Sequence, residues 1–135
     1  MTTRNCLMGT LVGGIVLFFL GYGLYGILLA GFFEANTGTA TGVTREPFDF
    51  VSLAVGQLMW AGAITMVLGW KGASTAMDGF TTGATVGALF FLGFDLTLYA
   101  TTNLSTLTGA IADAVVATIL FGITGAIVTL VVAKK

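Results

Sequence analysis

Four long apolar runs, separated by short polar intervals, divide this chain: residues 7–33, 50–70, 79–100 and 107–133. A helix needs about 20 mainly apolar residues to cross the hydrocarbon of a bilayer, and each run reaches that length. The apolar core of a signal peptide spans only about 7–15 residues, so the first run reads as a retained helix. The second follows Pro47 and Asp49, residues suited to a helix start. The third follows Asp78, and the fourth ends at Lys134 and Lys135. The connections 34–49, 71–78 and 101–106 are short, which favours antiparallel neighbours. The pattern predicts an all-α fold: one domain over residues 1–135, built as an up-down-up-down bundle of four transmembrane helices.

Composition supports the same reading. Charged residues make up 8% of the chain and hydrophobic ones 56%, with a mean hydropathy of +1.01. A soluble domain carries about 25% charged residues, so the expected partner of this surface is the lipid bilayer. A net charge of -1 without a basic block argues against nucleic acid. The chain has no His and a single Cys, Cys6, which removes the commonest metal ligand and any internal disulfide. No cofactor or metal site is expected. Cys6 reads as a small interfacial residue, and Met59 and Met66 as packing. Arg4, Lys71, Lys134 and Lys135 fall on one side of the bundle and Arg45 alone on the other. The positive-inside rule then predicts a bacterial inner-membrane protein with both termini cytoplasmic.

Twenty glycines are many for a helical chain. In lipid, small residues let helices approach closely. Gly79, Gly83 and Gly87 recur every four residues, as do Gly9 and Gly13, so these two stripes are expected to be helix-packing faces. No Gly-Lys-Ser/Thr element follows them to suggest a phosphate loop.

Two acids stand inside the apolar runs, Asp95 and Asp113. On insertion scales such a residue costs roughly 2.5–3.5 kcal/mol at a helix centre. Asp95 lies eight to nine residues before the turn at Asn103–Leu104, and Asp113 nine to ten after it. At ~1.5 Å per residue the two are expected at nearly equal depth in an antiparallel hairpin. Gln57 and Tyr25 fall in the same layer by a similar count from Asp49 and Glu34. No Lys, Arg or His lies in the runs to pair with the acids. Three states are open: protonated carboxyls, carboxylates accepting from Tyr25, Gln57, Thr97, Tyr99 or Thr101, or a hydrated cation. The plainer reading of Asp113 is a carboxylate favoured by a helix N-terminus beginning near residue 109. Asp95, near a C-terminus, has the wrong sign for that, and its plainer reading is a polar contact locking two helices.

The stretch Gly93-Phe94-Asp95-Leu96-Thr97, with Thr102-Asn103-Leu104-Ser105-Thr106-Leu107 and Asp113, resembles bacterial four-helix membrane families of unknown function. Those families carry a Tyr-Asp-Leu-Thr-Asn-Leu segment in helix 3 and an Asp opening helix 4. Leu20-Gly21-Tyr22-Gly23-Leu24-Tyr25, running to Asn36-Thr37-Gly38, is similar to their Gly-x-x-Trp-Tyr segment and the turn after it. The chain departs from them at Leu98, where the families place Asn, and at Tyr22 or Leu24, where they often place an acidic residue or Trp. The resemblance implies a four-helix membrane protein and no particular activity. Asn103 is the nearest substitute for the missing polar position.

Three functional expectations follow. The first is a site for a proton, cation or small solute, bound or transported, at Asp95 and Asp113 with Gln57, Tyr25 and Asn103. The second is a structural or accessory subunit packing through Gly79, Gly83, Gly87, Gly9 and Gly13 in a homo-oligomer or with another membrane protein. The third, an enzyme, would have only an Asp95–Asp113 acid/base pair to work with, and the chain is therefore not expected to be one.

Overall fold

The computed structural model describes residues 1–133; Lys134 and Lys135, counted above on the basic side, lie outside them. The elements in order are α1 (Thr3–Gly21), a π-helical segment (Tyr22–Leu28), α2 (Ala30–Ala35), α3 (Phe50–Lys71), α4 (Ala76–Thr101) and α5 (Leu107–Ala133). Four stretches are long and apolar enough to cross a membrane: Thr3–Leu28, α3, α4 and α5. Two helices begin a turn before their apolar runs because polar residues cap them. The Thr2 hydroxyl accepts from the Asn5 N–H at 3.1 Å. Thr75 and Asp78 form a reciprocal capping box ahead of α4. Asp49 caps α3, accepting from the Ser52 N–H at 3.1 Å and its hydroxyl at 2.7 Å. At the other end of α3, Gly72 turns left-handed at φ 71, and the Ala73 N–H returns to the Leu68 carbonyl at 3.0 Å. A side chain is disfavoured in that conformation, so glycine ends the helix here.

The expected first helix over 7–33 is not continuous. The ladder loosens to π-helical pairing at Tyr22 and breaks at Leu29, whose φ of -110 and ψ of 9 are not helical. α2 then turns the chain toward the connecting loop. Five helices therefore replace the expected four among the described residues, while four candidate spans remain.

The bundle is built around α5. Half of its most apolar stretch is buried, against 17–22% for the other three spans. α4 and α5 share the most extensive interface, α1 packs on α3 and on α5, and α3 touches α4 only sparsely despite the short turn joining them. The core contains Leu17, Ile64, Leu68, Leu120, Phe121 and Val128.

Glycine explains why α4 and α5 lie so close. A Cβ at Gly83 would overlap the Phe121 carbonyl, one at Gly79 the Gly125 carbonyl, and one at Gly87 would come 2.8 Å from the Ala117 carbonyl. Gly13 likewise leaves room for Ala61, whose Cβ would lie 3.0 Å from an added Cβ, and Gly9 faces Thr65 and Val128. All five glycines of the two stripes are thus used inside this chain.

At the loop end, the 34–49 connection is tied to the α4–α5 turn. The Gly38 N–H donates to Leu104 at 3.1 Å, the Ala40 N–H to Asn103 at 3.0 Å and the Thr106 N–H to Asn36 at 3.0 Å. Thr106 also caps α5, accepting from the Gly109 N–H at 3.1 Å. The opposite, basic end gathers Met1, Asn5, Ser74, Val132 and Ala133 around one cavity of about 280 Å³.

Candidate functional site

Asp95 lies on α4 six residues before its last, and Asp113 is the seventh residue of α5. The register set by Gly79 with Gly125, Gly83 with Phe121 and Gly87 with Ala117, continued toward the loops, puts Asp95 across from Gly109 and Asp113 across from Phe91. The two Cα atoms therefore differ in depth by about four residues, or roughly 6 Å, not the near-equality expected from counting. Helix geometry closes the gap. Side chains lean toward their own helix N-terminus: Asp95 leans toward the basic end and Asp113 toward the loops. The two carboxyls therefore lean toward one another, and Asp113 is the charged group that acts on Asp95.

Asp95 is 8% exposed and Asp113 half-buried. Tyr25, in the middle of the π-helical segment, is the third member. Its hydroxyl donates to the Asp113 main-chain carbonyl at a long 3.4 Å. π-helical turns recur at functional sites because the extra residue redirects a side chain. No side chain of the segment is buried, though Leu24 and Tyr25 rest against the core.

The other expected members stand apart. Thr97 and Thr101 donate to carbonyls of their own helix, at 2.7 and 2.8 Å, and Tyr99 is exposed. Gln57 is half-buried on α3, and among the described residues no hydrogen bond joins it to either acid. Asn103 is exposed in the α4–α5 turn, where its main-chain carbonyl serves Ala40. It belongs to the loop pairing and not to the acid cluster. The dipole account of Asp113 also weakens, since α5 begins at Leu107 and the effect fades beyond the first turn.

Among the described residues the side-chain cations keep to the helix ends. Lys71 Nζ donates to Thr82 at 2.9 Å, Arg45 lies 4.0 Å from Asp49, and Arg4 stands at the start of α1. One oxygen of Asp95, Oδ2, is sealed from solvent and meets no donor among the described residues. Two negative charges about 4 Å apart repel by roughly 4 kcal/mol at an effective dielectric constant of ~20. Two carboxyls that come this close do not both ionise readily and can share one proton.

Sequence reasoning missed the aromatic group next to the acids. Trp60 stacks against Phe91 at 5.3 Å and meets Phe121 at 5.8 Å, while Phe91 and Phe121 are 5.3 Å apart. The available signal was Phe91 four residues before Asp95, on the same face of the helix. Two buried hydroxyls, Thr65 and Thr129, also lack a partner among the described residues. Each faces a glycine, Gly9 and Gly79 respectively, a pairing that only the assembled register shows. No family model, characterised protein or solved structure matches the chain.

Proposed function

We propose that this chain is a multi-pass protein of a bacterial cytoplasmic membrane whose Asp95–Asp113 pair takes up a proton or small cation, as a binding or transport site and not as an enzyme. The observation that carries the reading is a buried Asp95 that leans toward Asp113 on the facing helix, with one carboxyl oxygen unpartnered and no side-chain cation beside it among the described residues. Ionisable groups are expensive at membrane depth and persist where they are used. The charge pattern supports an orientation with the basic end in the cytoplasm and the acid pair in the outward half. Trp70, exposed beside Lys71, suits an anchor at the inner interface. The likeness of the Asp95 and Asp113 segments to bacterial four-helix families of unknown function belongs to the same reading.

The test is ion binding by the purified protein in detergent, and flux in liposomes, with Asp95→Asn and Asp113→Asn as comparisons. Loss of pH-linked or cation-linked uptake in both variants supports the site. Wild-type uptake in both removes it. Single-cysteine labelling at Ser74 and at Thr39 in a Cys6→Ser background reads the orientation: Thr39 is expected to react from outside, and Ser74 only from within.

The accessory-subunit reading rests on different surfaces from those expected. α5 of the same chain already covers Gly79, Gly83 and Gly87. Side chains such as Leu89, Phe19 and Ile27, which are 68–70% exposed, are left to meet lipid or a partner helix.

A further inference from the structure

The aromatic group and the glycine seam bear on what the acid pair can do, given the reading of that pair as an ion site. α4 runs from the basic end toward the loops and α5 runs back. Phe91 therefore lies on the basic side of Asp95, and Phe121 two turns to the basic side of Asp113. Trp60 of α3 closes against both, and Phe90 meets the same indole at 5.8 Å. Beyond these rings the α4–α5 interface is backbone against backbone at Gly87, Gly83 and Gly79, which leaves no width for a file of water. The next hydroxyls along α5 toward the basic end are spent on their own helix, Thr118 on the Ala114 carbonyl at 2.7 Å and Thr124 on the Leu120 carbonyl at 2.8 Å. On the loop side the path is short: six residues separate Asp95 from the end of α4 at Thr101, and Asp113 from the start of α5 at Leu107, about 9 Å of helix against about 30 Å toward the basic end.

The donor set also bears on the ion. Calcium takes 6–8 oxygen ligands and magnesium near-ideal octahedral ones. The pair offers two carboxyls and one phenol, and no group of three or more His, Cys, Asp or Glu that could hold a metal occurs among the described residues. A proton needs only two oxygens. The titratable groups facing Asp95 are Asp113 from α5 and Tyr25 from the π-helical segment. Those of α3, Asp49 and Lys71, stand at its two ends.

We propose that the Asp95–Asp113 pair is a one-sided proton site, entered from the loop end at Asp113 and sealed toward the basic end by Trp60, Phe91 and Phe121. The protein then holds a proton and does not conduct one through the membrane in this conformation. Asp113 receives the proton from water, and Asp95 Oδ2, otherwise without a donor, shares it.

The test is proton flux into liposomes holding the full chain, read with a trapped pH dye under an imposed potential. Proton binding at the loop face is followed separately, by pH-jump uptake in detergent. The wild type is expected to bind about one proton per chain, unaffected by added Na⁺, Mg²⁺ or Ca²⁺, and to conduct none above empty vesicles. Phe91→Ala should open a proton leak at least tenfold above wild type, which Asp95→Asn in the same chain removes. Trp60→Phe, which keeps an aromatic ring, should stay closed and serves as the conservative control should Phe91→Ala fail to fold. Steady conduction by the wild type, or by Trp60→Phe, overturns the one-sided site. A leak through Phe91→Ala that ignores Asp95→Asn does the same. Uptake that follows metal cations instead of protons overturns the proton assignment while leaving the acid pair as an ion site. Insensitivity of all uptake to both Asp→Asn changes overturns the proposed function itself.

Discussion

Replacing Gly83 by alanine tests the packing on which the whole register rests. The added Cβ would run into the Phe121 carbonyl and approach the Gly125 Cα at 3.3 Å. Neither atom can swing aside, because both belong to the backbone of α5. The helices must separate, and overpacking of this kind costs typically 1–3 kcal/mol. The same change raises helix propensity by about 1 kcal/mol in water, which would blur the result if measured alone. At Gly93, on the same helix, an added Cβ would meet nothing within 4 Å, and this position supplies the reference. Propensity cancels between Gly83→Ala and Gly93→Ala, so the difference isolates the packing cost at about 1–3 kcal/mol. Reversible unfolding of purified protein in mixed detergent micelles, followed by the fluorescence of Trp60 and Trp70, gives both values under one condition. Equal stabilities for the two variants, or a less stable Gly93→Ala, would refute the close α4–α5 contact and the register drawn from it.

Four further outcomes are expected. Thr106→Ala removes the α5 cap and the hydroxyl's bonds to Asn36, keeps the main-chain bond, and should lower stability by about 1 kcal/mol in the same assay. Hydrogen exchange of the Gly38 and Ala40 amides should speed up with it. Tyr25→Phe gives up one long hydrogen bond and should cost less than about 1 kcal/mol, yet raise labelling of Asp113 by a water-soluble carbodiimide. Asp49 is held below the usual carboxylate range, first by the Ser52 hydroxyl and then by the Ser52 N–H. Its stabilising contribution is therefore complete above the ordinary carboxylate value and is lost as pH falls through the lowered one. Thermal unfolding from neutral to strongly acid pH should show this component disappear in Ser52→Ala. Phe121→Ala removes the ring shared by Trp60 and Phe91 and should cost about 3–5 kcal/mol, read by loss of the folded fraction.

The four spans were legible because runs such as 107–133 are long and apolar enough to cross a membrane, and the helix-start residues Asp49 and Asp78 stand in plain view; Thr75, the cap of α4, was not singled out. Asp95 and Asp113 announced themselves by charge alone. Their relative placement depended on two things that residue counting does not carry: the offset of register imposed by the Gly79–Gly125 contact, and the lean of side chains toward opposite ends of antiparallel helices. The π-helical stretch around Tyr25 has no local sequence signature beyond Gly21, Gly23 and Gly26, which are equally compatible with an α-helix in lipid. Asn103 was misplaced because a polar residue near a turn can serve the loop as easily as the bundle, and only the pairing with 36–40 decides it. The glycine stripe was read as a packing face open to either use. Its occupation by α5, leaving none of it for another chain, follows from the fold.

The most direct measurement is proximity of the two acid positions themselves. Asp95→Cys and Asp113→Cys, combined in a Cys6→Ser background, place thiols where the carboxyls stand. Mercuric ion added to the membrane-embedded protein, with intact mass as the readout, is expected to bridge them at one mercury per chain and block both thiols. Each single variant should remain open to a second thiol reagent. Two mercury adducts on every doubly substituted chain, with no bridge at any reagent ratio, would contradict the convergence of Asp95 and Asp113 and the site built on it.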